Sequence, residues 1–130
     1  VNNSTLNLIN ATIVLTSDNG GNYGTVSIHG GATINATAPT TGTMAGIAFY
    51  QDRNAPAGAS NDFSGGTTQN IQGAIYFPNE IVNFAGGTQT GAGCTQIVAG
   101  EIDFKGNANL ESNCTGKGVK TIASLPKQVE

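Results

Sequence analysis

The feature that most constrains this chain is a short pattern met four times: Ile28-His29-Gly30-Gly31, Phe63-Ser64-Gly65-Gly66, Phe84-Ala85-Gly86-Gly87 and Phe104-Lys105-Gly106-Asn107. A large apolar residue, one small or polar residue and then glycine suits a strand that points a side chain inward and turns a tight corner directly afterwards. A second column runs beside the first, in Ile13-Val14-Leu15, Ile47-Ala48-Phe49, Ile75-Tyr76-Phe77 and Ile97-Val98-Ala99, each read as two inward residues around a central outward one. A third strand type follows the glycines, in Ala32-Thr33-Ile34, Thr67 to Ile71, Thr88-Gln89-Thr90 and Ala108-Asn109-Leu110. Three strand types recurring in step at a period of roughly 20 to 35 residues are the signature of a solenoid with three faces. The fold expected is all-β: a single-stranded, right-handed parallel β-helix of about five or six coils, its hand following from that of parallel crossovers.

Composition agrees with that expectation. The 130 residues include 19 Gly, 16 Thr and 15 Asn, and Ile and Val outnumber Leu by 18 to 5, which favours strands and corners over helix. One domain over residues 1–130 is the natural partition at this length. Only 10% of residues are charged and the formal net charge is −3, so no basic field is available to hold nucleic acid. No apolar run reaches the roughly 18 residues needed to span a bilayer, and the chain starts at Val1 without a signal segment, as either a proteolytic product or the ordered part of a longer protein would. Any membrane attachment would then come through a segment outside this chain.

Cys94 and Cys114 are the only cysteines and stand 20 residues apart, the same interval as Phe84 and Phe104. Equivalent positions on adjacent coils lie within the Cα separation that a disulfide accepts, so the two are expected to stack and be bridged in an oxidising compartment. The distance from the Ile column to the Phe column shrinks along the chain, which places insertions in the early coils. Ser17 to Gly24 and Gln51 to Asn61 leave one corner of successive coils, and Ala38 to Ala45 leaves another. Loops shown on a stiff scaffold commonly carry binding, although a solenoid also tolerates them without any function. The candidate partner-binding surface is therefore the flank containing Asp18, Asn22, Tyr23, Asp52 and Arg53. In its favour are a rigid aromatic with a polar tip and a five-donor guanidinium; against it, an Asp–Arg pair more often ties down its own loop.

Catalytic and metal chemistry find little support. Asp62 and Asp103 precede the Phe column but are separated by the coil of Asn83, in ordinary outward positions. His29 is the only histidine, is expected to face solvent, and has no Ser–His arrangement apparent in sequence. Asp18-Asn19-Gly20-Gly21-Asn22 reads as a glycine-rich turn, since it lacks the spacing and distal acid of a calcium loop. No catalytic residues, metal or cofactor are assigned. Asn-x-Thr/Ser matches such as those at Asn3, Asn10, Asn35 and Asn113 are what an Asn- and Thr-rich chain produces by chance. A threonine face of the ice-binding kind is broken by Ala32 and Ala108 in the aligned column.

From about Thr25 to Ala123 the ordered blocks Gly-Gly-Ala-Thr (30–33), Ala-Pro-Thr (38–40), Ala-Gly-Ile-Ala-Phe-Tyr-Gln-Asp-Arg-Asn (45–54), Gly-Ala-Ile-Tyr-Phe-Pro (73–78) and Cys-Thr-Gln-Ile-Val-Ala (94–99) carry a resemblance. The chain resembles the C-terminal region of TadG-like proteins of bacterial tight-adherence (Flp-type) pilus systems. The resemblance implies an envelope protein, periplasmic or extracellular, whose longer form has an N-terminal membrane helix and a role in pilus assembly or attachment. It implies no catalytic residues. The function expected is thus a non-catalytic scaffold whose partner is a pilus or envelope protein or a surface glycan. Its rivals are a pectinase-like polysaccharide enzyme, which a groove of clustered carboxylates would favour, and a passive spacer. Exposed tyrosines or an open polar loop flank would favour the scaffold.

Overall fold

The computed structural model describes residues 2–64, 69–85, 93–106 and 110–120. Among these the chain is strand and turn with no helix, and eight strands form one parallel, curled sheet. The strands are β1 (Thr5–Leu8), β2 (Ile13–Leu15), β3 (Ser27–Ile28), β4 (Thr33–Thr37), β5 (Ile47–Gln51), β6 (Ser60–Phe63), β7 (Gln69–Ala85) and β8 (Thr95–Lys105).

They fall into three parallel ladders. β1, β4 and the start of β7 form the first, with Leu6, Ile34 and Gln69 in register. β2, β5, the middle of β7 and the start of β8 form the second. β3, β6 and the ends of β7 and β8 form the third, in which Ile28, Phe63, Phe84 and Phe104 stand one above another as the repeat requires. The chain visits the ladders in order, then returns one strand further along. β7 is long because it runs through all three without a break. The third ladder is four strands deep among the described residues. The glycine halves of the second and third repeats, Asn107, and the stretches Thr67, Thr88-Gln89-Thr90 and Ala108-Asn109 lie outside those residues.

Alternation along the strands sets the core. Ile28, Ile34, Phe63, Ile75, Phe77 and Phe84 are buried on the concave side. Phe63 meets Phe49 and Phe77 edge to face at centroid distances of 5.2 and 6.2 Å and stacks on Phe84 at 6.4 Å. Two inward assignments need correction. In the second ladder it is Phe49, not Ile47, that aligns with Ile13 and Ile75; Ile47 pairs with Ala74 instead. An irregularity between Ile47 and Phe49 absorbs one residue, so Ala48 and Phe49 are both buried and Tyr50 becomes the outward residue. Ile102 and Phe104 take the inward register but remain 40% and 50% exposed, because they sit on the last strand of the third ladder. Phe104 packs on Phe84 at 6.1 Å on one side only.

The corner between the second and third ladders tapers. It holds residues 16–26 in the first passage, 52–59 in the second, 78–80 in the third and Gly100 alone in the fourth. The insertions expected at 17–24 and 51–61 therefore do share one corner, and 38–46 leaves from the corner between the first and second ladders.

Cys94 and Cys114 are bridged, with Cα atoms 4.7 Å apart. The partner segment arrives differently from the stacked coil expected: Cys94 pairs antiparallel with Ser112, and the Thr95 amide donates to the Glu111 carbonyl at 2.7 Å. The chain has reversed after β8, and its 110–120 stretch lies across the earlier strands, with the Gly118 backbone against Gly46 and Thr40.

Candidate functional site

The loop flank is built first from its own hydrogen bonds. Asn19 Oδ1 accepts from the Gly21 amide at 2.9 Å and Gly20 takes φ +70°, which makes 18–22 the glycine-rich turn expected. Asp18 and Asn22 are exposed there and Tyr23 is half-buried. In the next loop Asp52 Oδ1 accepts from the Asn54 amide at 2.9 Å, and Asp52 Oδ2 accepts from the Thr16 hydroxyl at 2.9 Å. Together with the Asp52 amide donating to the Leu15 carbonyl, this joins the bases of the two loops. The Asn54 amide first, and then the Thr16 hydroxyl, hold the Asp52 carboxyl below its ordinary value by stabilising the anion.

Arg53 turns towards the following strand. Its Nε donates to Tyr76 Oη at 2.9 Å, and the guanidinium carbon lies 5.5 Å from the centre of the Tyr76 ring. Tyr76 is stacked in turn on Tyr50, with ring centres 5.4 Å apart and planes 9° apart. Register explains the pair, since Val14, Tyr50, Tyr76 and Val98 form the outward column of the second ladder. Sequence inspection placed Arg53 in the site and missed Tyr50 and its neighbour. The signal was present in Phe49-Tyr50-Gln51 and Ile75-Tyr76-Phe77, which align tyrosine on tyrosine once the irregularity at Ala48 is allowed.

Beside this column the same outer face carries Ile47, Ala74 and Gln96. They floor a groove of about 360 Å³, bounded by the 42–46 loop and by Val119 and Lys120, and Tyr76 forms part of its lining. The groove lining contains a lysine and no carboxylate.

On the third ladder Asp62, Asn83 and Asp103 align as expected. Asp62 Oδ1 accepts from Asn83 Nδ2 at 2.7 Å, and Asp103 pairs with Lys105 at 2.8 Å. One absence inferred from the sequence is corrected. Ser27 Oγ lies 2.8 Å from His29 Nε2, and His29 Nδ1 lies 3.0 Å from Ser64 Oγ. Ser64 donates its hydroxyl to the Ile28 carbonyl, and the His29 ring bridges it to Ser27. Residues i and i+2 of a strand share a face, which is how Ser27 and His29 meet. Both are exposed. No group of three or more metal-ligating side chains occurs among the described residues.

No protein-family model, curated protein or solved structure matches this chain. No helix among the described residues is long and apolar enough to cross a membrane.

Proposed function

We propose that this chain is a non-catalytic scaffold of the bacterial envelope or cell surface, serving a pilus or adhesion system and binding a protein or glycan through one outer flank. The curled parallel sheet is read as a right-handed β-helix, the hand that parallel crossovers take. The observation that carries the binding reading is the array of Tyr50, Tyr76 and Arg53, a stacked aromatic pair with a guanidinium fixed to its outer edge. Tyrosine and arginine are the side chains that most often anchor a partner, and these have already lost much of the freedom that binding would otherwise remove. The TadG-like sequence blocks give the pilus context, and the disulfide suits an oxidising envelope compartment. Asp52 gives specific support to the passive-spacer alternative, because its oxygens are used within its own corner.

The test compares wild type with Tyr76→Ala and Arg53→Ala proteins of unchanged fold in attachment to bacterial cells, isolated pili and immobilised glycans. Loss of attachment in both variants is expected; full attachment by both assigns the flank to scaffold. The non-catalytic part is checked with a fluorophosphonate probe. Background labelling is the expected result, and labelling abolished by Ser27→Ala would overturn it.

A further inference from the structure

We infer that the groove on the outer face of the second ladder is a binding site for an acidic saccharide, with Tyr76 under the sugar, Lys120 in the groove lining and Arg53 held beside Tyr76 to receive its carboxylates. The inference rests on the proposed binding role of this flank and gives its ligand a chemical class. Tyr76 is the shared element: it lines the groove and its hydroxyl also accepts from Arg53. That hydrogen bond engages Nε rather than the terminal guanidinium nitrogens. The single ion pair among the described residues joins Lys105 to Asp103, so neither Arg53 nor Lys120 has a carboxylate of a described residue within ion-pair distance. Two of the chain's five basic side chains thus stand at the groove and its Tyr76 edge with no ion pair among the described residues, in a protein of net charge −3. That local sign favours an anion.

The remaining surface favours a sugar over a bare anion. The groove is about 360 Å³, at the small end of ligand sites, which suits one or two rings. Its wall offers Val98 and the tyrosine ring to the C–H faces of a saccharide, and the Gln96 amide and Thr43 hydroxyl to its hydroxyl groups. An arginine already oriented by Tyr76 can take a carboxylate through two parallel N–H bonds.

The test titrates 15N-labelled full chain with two acidic probes, tetragalacturonate and a hyaluronan tetrasaccharide. Their carboxyl-reduced forms and inorganic phosphate serve as controls. Binding by at least one acidic probe is expected, with shifts at the Gln96 side-chain amide and around Tyr76, and with affinity about tenfold weaker for its reduced form or for Arg53→Gln protein. Lys120→Gln should weaken it as well. Equal affinity for acidic and reduced sugars, saturation by phosphate at the same concentration, or no shifts with either acidic probe would each overturn the inference. Such a failure is separable from that of the broader proposal: cell or pilus attachment that still requires Tyr76, without acidic-sugar binding, leaves a flank that recognises something else.

Discussion

Gln51 is fully buried in a position whose register neighbour is Leu15, yet neither its amide nitrogen nor its amide oxygen has a hydrogen-bond partner among the described residues. A buried polar group without a partner costs about 1–3 kcal/mol, so the apolar replacement Gln51→Leu should raise stability by about 1–2 kcal/mol in urea unfolding. A loss of stability instead would mean that the amide is satisfied in solution. Buried Asn61 behaves differently, since it donates to Glu80 Oε2 and accepts from the Val26 amide. Asp52 makes a pH-dependent contribution of definite sign. Its folded pKa lies below the ordinary value of 3.8, so the stabilisation is present above that value and is lost as pH falls through the folded pKa. The protection factor of the Asn54 amide should fall across that acidic window and stay level above pH 5 or so. The Asp52→Asn protein should show no such step.

At the scale of elements, the Phe column was legible from sequence because each member precedes a corner, and the chain must repeat its turn chemistry to repeat its path. The Ile column was legible only in part. A periodic pattern reports side-chain parity, and the irregularity at Ala48 changes parity without changing composition, so Phe49 takes the place expected of Ile47 and Ile47 moves to the outer face. The tyrosine pair went unseen for the same reason. The Ser27–His29–Ser64 contact needed the partner strand as well as the spacing, because Ser64 comes from the next passage. Gly73 shows what a corner without a loop demands. It takes φ +144°, and a Cβ there would come within 2.6 Å of the Ala38 Cβ and 3.2 Å of the Ala48 Cβ. Gly73→Ala should therefore cost about 2–4 kcal/mol, read as a lower urea midpoint with an unchanged slope. An unchanged midpoint would show that this corner is loose.

For the whole molecule, the decisive feature is how the stack is closed at its C-terminal side. Each strand passage buries its apolar side against the passages next to it, so the last of the described strands is left with Ile102 and Phe104 partly bare, and stability should fall towards that end. The disulfide acts there. Cys94 stands just before β8, and Cys114 fixes a reversed segment that runs on to place Val119 and Lys120 at the wall of the groove. The 20-residue separation makes the chain-entropy contribution of the bridge about 3 kcal/mol. The double variant Cys94→Ala, Cys114→Ala should lose about that much in urea unfolding. It should also expose the Gly46 amide, which donates to the Pro39 carbonyl beneath the strap, to faster hydrogen exchange. Thiol titration of unfolded, unreduced wild type should find no free thiol. Two reactive thiols per chain would remove the staple, and with it the physical basis for holding Lys120 over the groove.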